Sequence, residues 1–115
     1  MNSSRLWPSL VVLFLTAEGV FSAEPVARTV YYSGRVQGVG FRATAVDIAK
    51  GFKVTGWVKN LADGRVQLVV EGPADEVKKF LEAVRKHWKK NIDKEKVEEP
   101  KPTGTYRGFT IRSSS

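Results

Sequence analysis

The pair Asp63-Gly64, set between the extended runs 54–60 and 65–71, constrains this chain more than any other feature. Aspartate and glycine both tolerate the positive φ of a tight reversal, so the pair predicts a hairpin and two antiparallel strands. Val54, Gly56 and Val58 alternate with Thr55, Trp57 and Lys59, as in a strand with two unlike faces. Upstream, ARTVYYSGRV (27–36) has the β-branched and aromatic content of a strand. It is followed by Phe41, Ala45, Ile48, Ala49 and Phe52 at helical spacing, closed by Gly51. Downstream, Val77, Phe80, Leu81, Val84 and Trp88 mark one face of a second helix. Its first turn carries Asp75 and Glu76 and its last turn Arg85, Lys86, Lys89 and Lys90, as the helix dipole prefers. Residues 92–97 read as a weaker strand, 98–107 as a loop with Pro100 and Pro102, and 108–112 as a short final strand. The order β-α-β-β-α-β predicts an α+β, ferredoxin-like fold: an antiparallel sheet with both helices on one face.

The N-terminal segment reads as an address rather than as part of that fold. One cation, Arg5, precedes the apolar run LVVLFL (10–15), and Thr16, Ala17, Glu18 and Gly19 follow. This is the order of a secretory signal, and Glu18 ends the stretch well short of the ~20 apolar residues a spanning helix needs. Cleavage after Ser22 satisfies the small-residue rule, whereas cleavage after Ala23 places Phe21 where bulk is disfavoured, and the sequence leaves the exact bond near residue 23 open. The expectation is a signal peptide at 1–23, one domain at 24–115, export to the periplasm or exterior, and no membrane span once the signal is removed. The alternative is an uncleaved anchor or an apolar piece of the fold; if the segment is not a functional signal, the domain is cytoplasmic. Arg5 and Glu18 cancel, so the mature domain keeps the whole net charge of +7. Such a surface favours anionic partners. The absence of cysteine rules out a disulfide framework, a thiol nucleophile and a cysteine-based zinc site.

The chemistry concentrates in SGRVQGVGFR (33–42), between the first strand and the first helix. Glycines at 34, 38 and 40 let the backbone turn sharply and aim successive N–H groups at one point, an anion nest. The helix N-terminus adds roughly half a positive charge, and Arg42 a planar fork of donors matched to two phosphate oxygens. The other reading of this stretch is a tight structural turn. A Walker loop is excluded because no Lys-Ser or Lys-Thr follows the second glycine, and a dinucleotide fingerprint because Ala43 stands where its third glycine is required.

Taken with GWVKN (56–60), LADGRV (61–66) and VEGP (70–73), the run GRVQGVGFR resembles the acylphosphatase family. The resemblance extends from about Arg28 to Leu81, resumes at Ile92 and returns with Phe109-Thr110-Ile111. It implies a ferredoxin-like fold and metal-free, cofactor-free hydrolysis of acyl phosphates to a carboxylate and inorganic phosphate. It also implies that Arg42 binds the phosphate, that the backbone amides of Gln37, Gly38, Val39, Gly40, Phe41 and Arg42 cradle it, and that Asn60 orients the attacking water. A carboxylate is a good leaving group, so positioning and charge neutralisation carry most of this reaction. Two stretches depart from the family's pattern: His87-Trp88-Lys89-Lys90 follows the second helix in place of Gly-Pro, and EEPKPTGTYRG leads to the final strand.

Other residue types are discounted. His87, the only histidine, lies on a basic helix end with no partner to orient it. Trp57 and Trp88 read as core or sheet cover, and the lysines at 78, 79, 86, 89, 90, 94 and 96 as a solvated face. Asp47, Asp63 and Glu71 have no metal-ligand spacing, and no metal site is expected. The pattern of an RNA-binding sheet is missing, so nucleic acid is not an expected partner; a monomer is expected. The rival functional reading is a non-catalytic, exported phosphate- or anion-binding module of the same fold. Asn60 separates the two, because anion capture alone has no use for a positioned water. A third reading, protein interaction through the edge strand at 92–97, has only the general hazard of edges behind it.

Overall fold

The computed structural model describes residues 24–115, so the leader expected at 1–23 lies outside the described residues. Strand β1 (Pro25–Gly34) leads through the glycine loop to helix α1 (Phe41–Ala49), followed by β2 (Thr55–Asn60) and β3 (Val66–Pro73). Helix α2 (Ala74–His87), β4 (Ile92–Glu98) and β5 (Phe109–Ile111) complete the chain. The sheet order is β4-β1-β3-β2-β5. β1 and β3 pair along their whole length, from Pro25 opposite Pro73 to Tyr32 opposite Val66. β4 pairs antiparallel with β1, with a break in register between Ser33 and Gly34.

Four strands are thus antiparallel, as the element order predicts, whereas the short β5 runs parallel to β2. The cause lies in the connection: β4 and β5 are opposite edges, so the chain between them must cross the sheet. On the helix side, Val30, Tyr32, Val58, Val66, Leu68 and Val70 project at period 2 onto Phe41, Ala45 and Ala49 of α1 and Val77, Phe80 and Val84 of α2. The crossing segment covers the other side. Glu71, 4% exposed, accepts hydrogen bonds there from Thr103 N, Thr103 Oγ1 and Gly104 N, each 2.9 Å. Arg112 lies 4.5 Å from the Trp57 ring and 5.9 Å from that of Tyr106. Trp57 is sheet cover, and Trp88 is buried in the core.

The β2–β3 hairpin reverses differently from the tight Asp-Gly turn the sequence suggests. Gly64 N donates to Leu61 O and Leu61 N to Arg65 O, and Gly64 alone takes a positive φ, 96°. This is a three-residue loop ending in a left-handed glycine. Asp63 contributes through its side chain instead, accepting from Arg65 N at 3.0 Å and Arg65 Nε at 2.9 Å. Those bonds, led by the backbone N–H of Arg65, hold its carboxyl below the usual carboxylate range.

Candidate active site

The glycine loop is shaped by what holds its ends. Arg35 N donates to Asn91 O at 2.9 Å, and Asn91 Nδ2 returns a bond to Arg35 O at 2.9 Å. At the far end Phe41, 2% exposed, is inserted between Tyr32 and Trp88, with ring centroids 5.0 and 5.3 Å away. Between these anchors Gly38 (φ 76°) and Gly40 (φ 90°) take left-handed conformations that L side chains rarely adopt. Neither is crowded: a Cβ at either would meet nothing within 4 Å. Their requirement is conformational, and it aims the chain.

Gly40 caps α1 with no side-chain hydrogen bond, and the first intrahelical bond is Thr44 N to Gly40 O. The N–H groups of Phe41, Arg42 and Ala43 therefore have no intrahelical acceptor, as helix geometry dictates. No backbone carbonyl among the described residues accepts from the N–H groups of 37–43. Unpaired donors at the positive end of a helix dipole suit an anion.

A pocket of about 210 Å³ opens at this point, lined by Gly38, Gly40, Arg42 and Ala43 on one side and by Asn60 and Ile111 on the other. The structure thus brings together Arg42, the loop and Asn60, the last residue of β2. Arg42 takes no part in the ion pairs found among the described residues. Asn60 Oδ1 is buried and has no hydrogen-bond partner among them. A buried acceptor without a donor costs about 1–3 kcal/mol, so the unpartnered carbonyl of Asn60 beside the anion cradle is free to take a donor from a bound molecule. The two ends of the carboxamide exchange by a half-turn about χ2, so either a donor or an acceptor can face the pocket.

Two features escape sequence reading. Ile111 enters the wall from β5 and is 47% exposed, a contribution fixed by a pairing that no periodicity reveals. Gln37, expected to act through its backbone, turns its side chain away to the β2–β3 turn, where Nε2 donates to Leu61 O and Arg65 O. Among the described residues, no group of three or more His, Cys, Asp or Glu could hold a metal ion, and no helix is long and apolar enough to cross a membrane.

Residues 28–111 match the family profile described as Acylphosphatase. An acylphosphatase of Bacillus velezensis is 48% identical over 79 residues, covering 68% of this chain and 88% of the relative. One of Roseiflexus sp. (strain RS-1) is 45% identical over 94 residues, covering 71% and 89%. The crystal structure of acylphosphatase from Bacillus subtilis superposes with a TM-score of 0.67 at 34% identity, over 76% of this chain and 98% of that one.

Proposed function

The chain belongs to the acylphosphatase family, and from that premise we propose that Arg42 and the amides of residues 37–42 hold the phosphate of an acyl phosphate while Asn60 directs the attacking water. The enzyme hydrolyses the carboxyl–phosphate bond to a carboxylate and inorganic phosphate; the relatives are named for that hydrolysis, which sets aside a purely binding module. The observation that carries the assignment of residues is the single pocket shared by Arg42, the left-handed glycine loop and the Asn60 carboxamide.

The water oxygen forms a bond to phosphorus as the bond from phosphorus to the acyl oxygen breaks, and the carboxylate leaves with the electron pair. Arg42 and the unpaired amides neutralise the equatorial oxygens, which is the main demand of phosphoryl transfer. Asn60 accepts one O–H of the water through its carbonyl and so fixes the line of attack; it cannot itself take up a proton at neutral pH. The proton released by the water goes to a phosphate oxygen. Turnover of a simple acyl phosphate in excess chelator tests the assignment. The parent is expected to turn over, and Arg42→Ala and Asn60→Ala to lose on the order of 10²–10³ in rate. Undiminished turnover by either variant defeats its assignment.

We further propose that residues 1–23 direct export and are removed, supported by the order Arg5, apolar 10–15, small residues. Fractionation and N-terminal sequencing of the expressed chain check this: a mature protein beginning near residue 24 outside the cytoplasm is expected. A monomer is the expected solution state, supported by the charges Lys94, Glu95, Lys96 and Glu98 along the edge strand β4, which oppose pairing with another strand. No nucleic-acid partner is proposed.

A further inference from the structure

We propose that the Gln37 side chain is a positioning residue that fixes the phosphate loop against the β2–β3 turn and so sets the distance from the bound phosphorus to the water held by Asn60. This inference rests on the functional reading above. Gln37 Nε2 has two protons, and both are used: one bond runs to Leu61 O at 2.8 Å, the other to Arg65 O at 2.9 Å. Leu61 and Arg65 are also joined by Leu61 N to Arg65 O at 2.8 Å, so they close the base of the turn, and Leu61 directly follows Asn60. A single carboxamide from the anion loop thereby bridges both sides of the β2–β3 turn beside the residue assigned to the water.

No other side-chain bond among the described residues spans these two halves of the pocket. The loop's remaining polar tether, the reciprocal pair of Arg35 and Asn91, runs to the start of β4. Arg42 and the amides lie on the loop and α1, whereas Asn60 lies on β2, so phosphate grip and water placement reside on different elements. Binding phosphate needs only the first. In-line attack needs the two in register, and a misplacement of about 1 Å can cost on the order of 10²-fold.

The arrangement predicts a split between turnover and phosphate affinity. In the full-length chain, Gln37→Leu is expected to lower kcat by about tenfold or more while the inhibition constant of inorganic phosphate changes by less than about threefold. Gln37→Glu places a carboxylate against two carbonyl oxygens and should be equally impaired at pH 7. As pH falls toward the carboxyl's pKa, ordinarily about 4.3 and raised here by the carbonyls, the protonated side chain regains one donor. Its kcat relative to the parent should therefore recover on acidification, while that of Gln37→Leu should not. An unchanged kcat in Gln37→Leu overturns the proposal, as does phosphate affinity falling in step with kcat. If Gln37→Leu does not fold, Gln37→Glu decides alone: absence of relative recovery in acid overturns it. Failure of the functional reading looks different, since the parent would then be inactive or Asn60→Ala as active as the parent.

Discussion

Arg42 and Gly40 make separable contributions to one anion site. Arg42 brings a rigid fork that grips two oxygens at once, which the single ammonium of lysine cannot reproduce, so Arg42→Lys keeps the charge and loses the geometry. Steady-state kinetics should show a fall in kcat/KM on the order of 10². Gly40 brings only a backbone angle: at φ 90°, with open space around it, alanine meets no clash but adopts the conformation at about 1–3 kcal/mol. Gly40→Ala should relieve that strain by turning the following amides away, and calorimetry should show weaker binding of inorganic phosphate. Undisturbed phosphate affinity would mean that the cradle does not depend on this angle. At this scale the sequence was legible where the demand is local, as with glycines at 38 and 40 beside Arg42. Asn60 stands out only through the family resemblance, because nothing in its neighbours distinguishes it from any polar strand end. The side-chain role of Gln37 was illegible, since its acceptors lie 24 and 28 residues away.

At the scale of elements, the connection from β4 to β5 performs work that its proline-rich, irregular sequence does not announce. It closes the helix-free side of the sheet, and Glu71 fastens it with three hydrogen bonds from Thr103 and Gly104. The β5 end is tied separately, Gly56 N donating to Gly108 O at 2.9 Å and Phe109 meeting Phe80 edge to face at 5.3 Å. Glu71→Leu would strip the acceptors from two backbone N–H groups. The expected loss is about 2 kcal/mol, or a fall in Tm on the order of 10 °C, read by thermal unfolding. Activity at a temperature where the variant is folded should change less than in the Arg42 variants, because β5 keeps its own ties to β2 and α2. Apolar periodicity disclosed the two helices and the central strands, since period 2 and period 3.6 arise within each segment. It could not disclose Glu71, whose partners are 32 and 33 residues distant, or the direction of β5, which depends on where the crossing ends.

Across the whole molecule, α2, β1 and β4 meet around one phenol whose ionisation is coupled to folding. Tyr32 on β1 is 1% exposed, packs on Phe41, and lies near the bidentate pair of Arg85 on α2 with Glu95 on β4. Burial, reinforced by the negative charge of Glu95, raises its pKa well above the ordinary 10.0, with Arg85 opposing in part. The folded state thus keeps the phenol neutral where the unfolded chain releases its proton. Because the folded pKa is the higher one, the contribution is full below pH 10 and is lost as pH rises beyond it, by up to about 1.4 kcal/mol per pH unit. Urea unfolding of the parent and of Tyr32→Phe, from pH 8 to 12, isolates this group from the other bases and phenols. The gap in unfolding free energy between the two proteins should stay constant to about pH 10 and then shift in favour of Tyr32→Phe. A constant gap throughout would mean that Tyr32 is not excluded from solvent as the packing of α2 over β1 requires.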